Sequence, residues 1–180
     1  MLSKLTIIFA AIFVLTSSAI SQQPCSKALN EAPAINGLRL EMTFDELQPL
    51  LGQKKKTKPP KTGEGSFFLD FNELPPPDNL KGIKAAYIRF VSSKVYQIEI
   101  FYDDKDRATK LEDFTTQLSS DLNLPAASWK TKNGIARIDC GSFLLTADVI
   151  LNRHVELTDN AALVAFKEKK RQEKESKKRQ

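Results

Sequence analysis

The chain has 180 residues, 41% of them hydrophobic, with 27 basic against 22 acidic side chains, a formal charge of +5, two cysteines and one histidine. This is one domain's worth of globular composition, long enough for a proper core. No disulfide scaffold is needed to fold it, two cysteines and one histidine cannot supply the four ligands of a structural zinc site, and without the glycine pattern of a phosphate or dinucleotide loop no cofactor and no metal are expected.

The first segment reads as a secretory signal peptide, residues 1–21. Lys4 precedes an apolar run from Leu5 to Leu15 broken only by Thr6, and small residues stand at Ala19 and Ser21. The run is too short for the ~20 residues that span a bilayer. The expectation is therefore an exported chain, periplasmic or extracellular, cleaved near Ser21 and with no transmembrane segment in its mature part. An uncleaved anchor is the alternative. Lipidation at Cys25 would want small apolar residues before it, where Gln22, Gln23 and Pro24 stand. In an oxidising compartment Cys25 and Cys140 would pair, closing a loop of more than a hundred residues. Two free thiols are the reading that separation alone leaves open.

Within 22–166 the chain predicts a single α+β domain. Thr43 followed by Glu46 is a capping box, opening a short helix with Phe44, Leu47, Leu50 and Leu51 at helical spacing, Pro49 inside it and Gly52 as its stop. Lys54, Lys55, Lys56, Lys58 and Lys61 then surround Pro59 and Pro60, a solvated loop. Ser66 to Phe71 reads as a strand, ended by Pro75, Pro76 and Pro77.

Ile83 to Tyr102 is the clearest hairpin. Ala86, Ile88 and Phe90 alternate with Tyr87 and Arg89, Ser92-Ser93-Lys94 forms the turn, and Tyr96, Ile98, Ile100 and Tyr102 alternate with Gln97 and Glu99. Asp103, Asp104 and Asp106 crowd the start of a second helix whose apolar stripe is Leu111, Phe114, Leu118 and Leu122, ended by Pro125. A second meander follows Trp129: Asn133-Gly134 is a strong hairpin turn, and Ile135 to Cys140, Phe143 to Leu151 and His154 to Leu157 are its strands. Asp159 caps a last helix carrying Leu163, Val164 and Phe166. Tight turns make the sheet antiparallel, with short helices packed on one face. Each half sets a helix before a meander, which is also the grammar of a divergent duplication.

The charge sits in a tail, residues 167–180. Lys167, Lys169, Lys170, Arg171, Lys174, Lys177, Lys178 and Arg179 face only Glu168, Glu173 and Glu175, so this segment alone carries +5 and residues 22–166 are near neutral. Such a helical or disordered tail can be drawn to an anionic surface, lipid or polymer. Nucleic acid is not expected, because no aromatic is interleaved for stacking.

No catalytic constellation emerges. Cys140 with His154 would need a free thiolate, and His154 beside Arg153 reads as a surface histidine. Asp139, Asp148 and Glu99 read as outward positions of strands, and the Asp103 cluster as a helix cap lacking the glycine and distal glutamate of a calcium loop. Tyr87, Tyr102 and Trp129 remain as candidates for an interface.

The stretch Ile35-Asn36-Gly37-Leu38-Arg39-Leu40-Glu41-Met42-Thr43-Phe44-Asp45-Glu46-Leu47-Gln48-Pro49-Leu50-Leu51-Gly52 resembles the opening of small exported α+β domains, the group of outer-membrane assembly lipoproteins and β-lactamase inhibitor proteins. Phe90 to Ile98 is similar to the hairpin that follows in them, while Glu41 stands where the group usually has Gly. The resemblance implies a module that binds a protein partner through a sheet face or loops, without catalysis. Two other readings compete with it: a protein held to envelope polymer by its tail, and a small hydrolase of unknown class.

Overall fold

The computed structural model describes residues 25–51, 60, 62–71, 76–103 and 110–179. The signal peptide, most of the lysine-rich run and the aspartates at 104 and 106 lie outside the described residues.

The hairpin is the spine of the fold. β2 (Ile83–Val91) and β3 (Lys94–Tyr102) are joined through Ser92 and Ser93, both left-handed at φ 50° and 62°, the two-residue turn whose twist matches that of paired strands. β1 (Gly65–Asp70) adds to the outer edge of β2. The second meander is β4 (Lys130–Lys132), β5 (Ile135–Asp139), β6 (Phe143–Asp148) and β7 (His154–Asp159), with Asn133-Gly134 turning β4 into β5 at φ 53° and 75°. The two meanders meet last strand to last strand, giving one antiparallel sheet of seven strands in the order β1-β2-β3-β7-β6-β5-β4.

Side chains alternate across a strand, so register decides what each face carries. One face holds the row Phe67, Ile88, Ile98, Leu157, Leu145 and Ile138, in which every residue from Ile88 to Ile138 is no more than 2% exposed. Beside it runs Leu69, Ala86, Ile100, Val155, Ala147 and Ala136, equally buried.

Two helices close this face. α1 (Phe44–Leu47) continues as a 3-10 turn to Leu51, and its capping box forms: Thr43 Oγ1 accepts from the Glu46 amide at 3.4 Å while Glu46 Oε2 accepts from the Thr43 amide at 2.8 Å. Such a cap contributes about 1 kcal/mol. Phe44 packs on Phe67, whose ring meets Phe90 edge-on at 5.4 Å. α2 (Leu111–Asp121) buries Leu111, Phe114 and Leu118.

α3 (Asn160–Lys178), whose face the sequence left open, does not join the two short helices. It is capped by Asp159, whose Oδ1 accepts from the Ala162 amide at 2.9 Å, and it crosses the opposite face of the sheet, where Phe166 lies on Tyr96 at 5.5 Å. Its apolar content amounts to one patch, so none of its residues is buried. The helix runs unbroken through position 166, so the basic tail is its continuation and not a separate segment.

Cys25 and Cys140 are bonded across 115 residues with their Cα atoms 4.3 Å apart, fixing the N-terminal segment beneath β5 and β6. Reduction, or the double substitution Cys25→Ser with Cys140→Ser, is expected to lower stability by about 2 to 4 kcal/mol. Denaturant unfolding with and without reductant measures it, and the double variant must be insensitive to reductant.

The N-terminal segment also clips onto the hairpin: the Glu41 amide donates to the Val95 carbonyl at 2.8 Å, and the Val95 amide to the Met42 carbonyl at 2.9 Å. To do so Glu41 adopts φ 62°. A left-handed non-glycine residue costs about 1 kcal/mol, and the exposed contact of Glu41 with Lys94 returns little of it. Glu41→Gly is expected to raise the melting temperature by a few degrees, read by thermal circular dichroism.

Candidate interaction surface

The second face of the sheet is polar where the first is apolar. Among the described residues only α3 crosses it, at one end. The pairing of β3 with β7 puts Gln97 opposite Thr158, Glu99 opposite Glu156 and Phe101 opposite His154. From β2, Tyr87 and Arg89 join Glu99 and Gln97; from β6, Thr146 and Asp148 join Glu156 and His154.

These side chains hold one another in place. The Arg89 guanidinium donates to Gln97 Oε1, pairs with Glu99 at 3.1 Å and lies 4.6 Å above the Tyr87 ring. Gln97 Nε2 donates to Glu156 Oε1 at 2.6 Å, and the Thr158 hydroxyl donates to the same oxygen at 2.8 Å. Charge-assisted bonds of this kind exceed neutral ones in strength, and a connected network fixes rotamers that would otherwise move. The floor is correspondingly rigid and half-buried, with Gln97 only 5% exposed. At its β1 rim Phe68 is 59% exposed, next to the Tyr87 ring.

His154 is not the surface histidine that its neighbour Arg153 suggested. It lies within the sheet, stacked on Phe101 at 4.7 Å with Nδ1 3.1 Å from Asp148 Oδ2, and its buried Nε2 has no hydrogen-bond partner among the described residues. Cys140 is held in the disulfide, so a thiolate and His154 cannot form a nucleophile pair. No group of three metal-ligating side chains occurs among the described residues, and no helix among them is long and apolar enough to cross a membrane.

The aromatic candidates separate. Tyr87 belongs to the open face, its hydroxyl donating to Ser66 Oγ at 2.9 Å. Tyr102 packs against Phe114 at 5.6 Å, and burial pushes its hydroxyl up to about 12. Trp129 donates from Nε1 to Ser119 Oγ at 2.8 Å, fastening α2 to the segment before β4. Both are packed on the core side, away from the open face. Gln97, Arg89, Glu156, Phe101 and Phe68 are absent from the sequence-derived candidates, because their grouping depends on the register of β7 on β3.

No protein family, no curated protein and no solved structure matches the chain. The class is defined by the fold itself: an α+β domain on a seven-stranded antiparallel sheet, one face closed by two helices and the other furnished with a charged and aromatic network.

Burial raises the Glu99 carboxyl above its ordinary value, Arg89 opposes that shift, and Glu156 directly across the strand adds to it. A carboxyl raised in the folded state favours folding while it is protonated and loses that contribution as pH rises through its folded pKa. The melting-temperature difference between Glu99→Gln and the parent is therefore expected to grow in favour of the variant from acid pH to pH ~7. A difference flat with pH would contradict the burial of Glu99.

Proposed function

We propose that the chain is an exported, non-catalytic protein-interaction module whose recognition surface is the open face of the sheet. The observation that carries this reading is the cross-strand network of Arg89, Gln97, Glu99 and Glu156, bordered by the exposed ring of Phe68. Side chains already fixed in the free protein lose little entropy on binding, and charged groups on a rigid floor favour one partner over others. Export is supported by the signal-like first segment and by the disulfide, which suits an oxidising compartment. The resemblance of residues 35–52 to the exported lipoprotein and inhibitor group points the same way.

Site-specific photo-crosslinking tests the surface in the native host. A photoreactive residue at Phe68 or Tyr87 is expected to capture one discrete protein, one at Lys132 on the far edge strand none, and Arg89→Ala to reduce the yield severalfold. Equal capture from Lys132, or capture unchanged by Arg89→Ala, would reject the open face as the recognition surface.

A further inference from the structure

α3 crosses the rim of the sheet and continues for about two further turns in which nearly every side chain is exposed. At 100° per residue, Lys167, Lys170, Arg171, Lys174, Lys177 and Lys178 fall within an arc of about 120° and along about 16 Å of helix axis. The acids Glu168, Glu173 and Glu175 all fall outside that arc. Glu168 pairs with Arg171 at 2.7 Å and Glu173 with Lys170 at 3.1 Å, both from the flanks. Lys167, Lys174, Lys177 and Lys178 make no ion pair with any described residue.

This stripe begins in a groove. Between the root of α3 and the β1–β2 rim lies a depression of about 510 Å³, with Lys167 and Lys170 on its helix wall and Arg89 with the hydroxyls of Thr62, Ser66 and Tyr87 on its sheet wall. Glu64, in the same groove, is held by Lys169 and Lys170. Lys170 then borders a second depression of about 330 Å³ that runs along Lys174, Lys177 and Lys178, with Glu173 as its one acidic wall residue. The two form one cationic track that is hydroxyl-lined at its inner end.

We propose that this track binds a linear acidic glycan, a chain bearing sulfate or carboxylate on successive sugars, with its end in the hydroxyl-lined groove and its length along the helix. Cations spread over 16 Å suit an extended polyanion better than one small anion. A bilayer is disfavoured: residues 167–178 of the helix, which carry the stripe, hold no apolar side chain to insert, and a flat surface does not reach into the groove. Nucleic acid is disfavoured because Phe166 is packed on Tyr96 and Arg89 covers the Tyr87 face, which leaves the track without a stacking platform. Sugar hydroxyls, by contrast, have partners in Thr62, Ser66 and Tyr87.

The test is a length series of heparin oligosaccharides titrated into the purified protein with its disulfide intact, at several salt concentrations. Affinity is expected to rise with length until the track is filled, with a log–log salt slope of about −4. The stripe variant Lys170→Gln, Lys174→Gln, Lys177→Gln should lose at least about tenfold and about 2 of that slope, while Lys130→Gln, Lys132→Gln, Arg179→Gln, equal in net charge, should lose much less. Ser66→Ala with Tyr87→Phe should weaken the shortest oligosaccharides by about threefold. Equal losses in the two charge variants would reduce the track to general electrostatics and overturn the proposal. So would tighter binding to oligothymidylate or to phosphatidylglycerol vesicles than to the glycan, or short oligosaccharides indifferent to loss of the two hydroxyls.

Discussion

Everything in this domain depends on one seam, the pairing of β3 with β7. It joins residues 97–101 to residues 154–158, a contact closed across more than fifty residues of chain, and without it the protein would be two small sheets, one with α1 and the other with α2 and α3. Closing so long a loop is entropically unfavourable until the paired surface is buried. Burial is what the seam supplies: Ile98 meets Leu157 and Ile100 meets Val155, all four fully enclosed, in the middle of rows that extend over five strands and more. Because alternation is strict, the same register that aligns these apolar pairs on one face aligns Gln97 with Thr158, Glu99 with Glu156 and Phe101 with His154 on the other. A slip of one residue would bury the glutamates and expose the isoleucines.

Glu99 and Glu156 stand directly opposite each other at that seam, a like-charge pair that would ordinarily weaken a sheet. The neighbours explain why it is tolerated. Arg89 reaches Glu99 from β2, and Gln97 and Thr158 both donate to Glu156, so each carboxylate has its own donors and neither relies on the other. The arrangement keeps charge on a half-buried floor, which a domain selected for stability alone would fill with threonine or valine. That arrangement is what supports the proposal that the open face is a recognition surface.

Local chemistry was legible in the sequence. The Thr43–Glu46 box, the Asp159 cap, the Asn133-Gly134 turn and the Ser92-Ser93 turn each rest on a few adjacent residues, and each forms where expected. So did the α+β class and the antiparallel sheet, since tight turns allow little else. What could not be read was whatever depends on distant register. Gln97 looks like an outward polar residue of an alternating strand, yet it is almost wholly enclosed, because Arg89 and Glu156 close over it from strands on either side. His154 gave the same impression for the same reason. The sequence left the face that receives α3 open, because amphipathicity reveals that a helix has an apolar patch but not which face of the sheet will take it.

The disulfide carries a consequence for how such a chain is made. Cys25 comes early and its partner Cys140 comes late, so a chain that crosses a membrane N-terminus first exposes Cys25 to oxidant long before Cys140 emerges. During that interval the only cysteine available is unpaired, and attack of its thiolate on a foreign disulfide, forming a mixed disulfide and releasing a thiolate, is the natural side reaction. Correct oxidation then waits on the second meander, whose β5 and β6 bracket Cys140. In a chain exported as proposed, the bond closes only after Cys140 has emerged, with β6, β7 and α3 still to follow it in sequence.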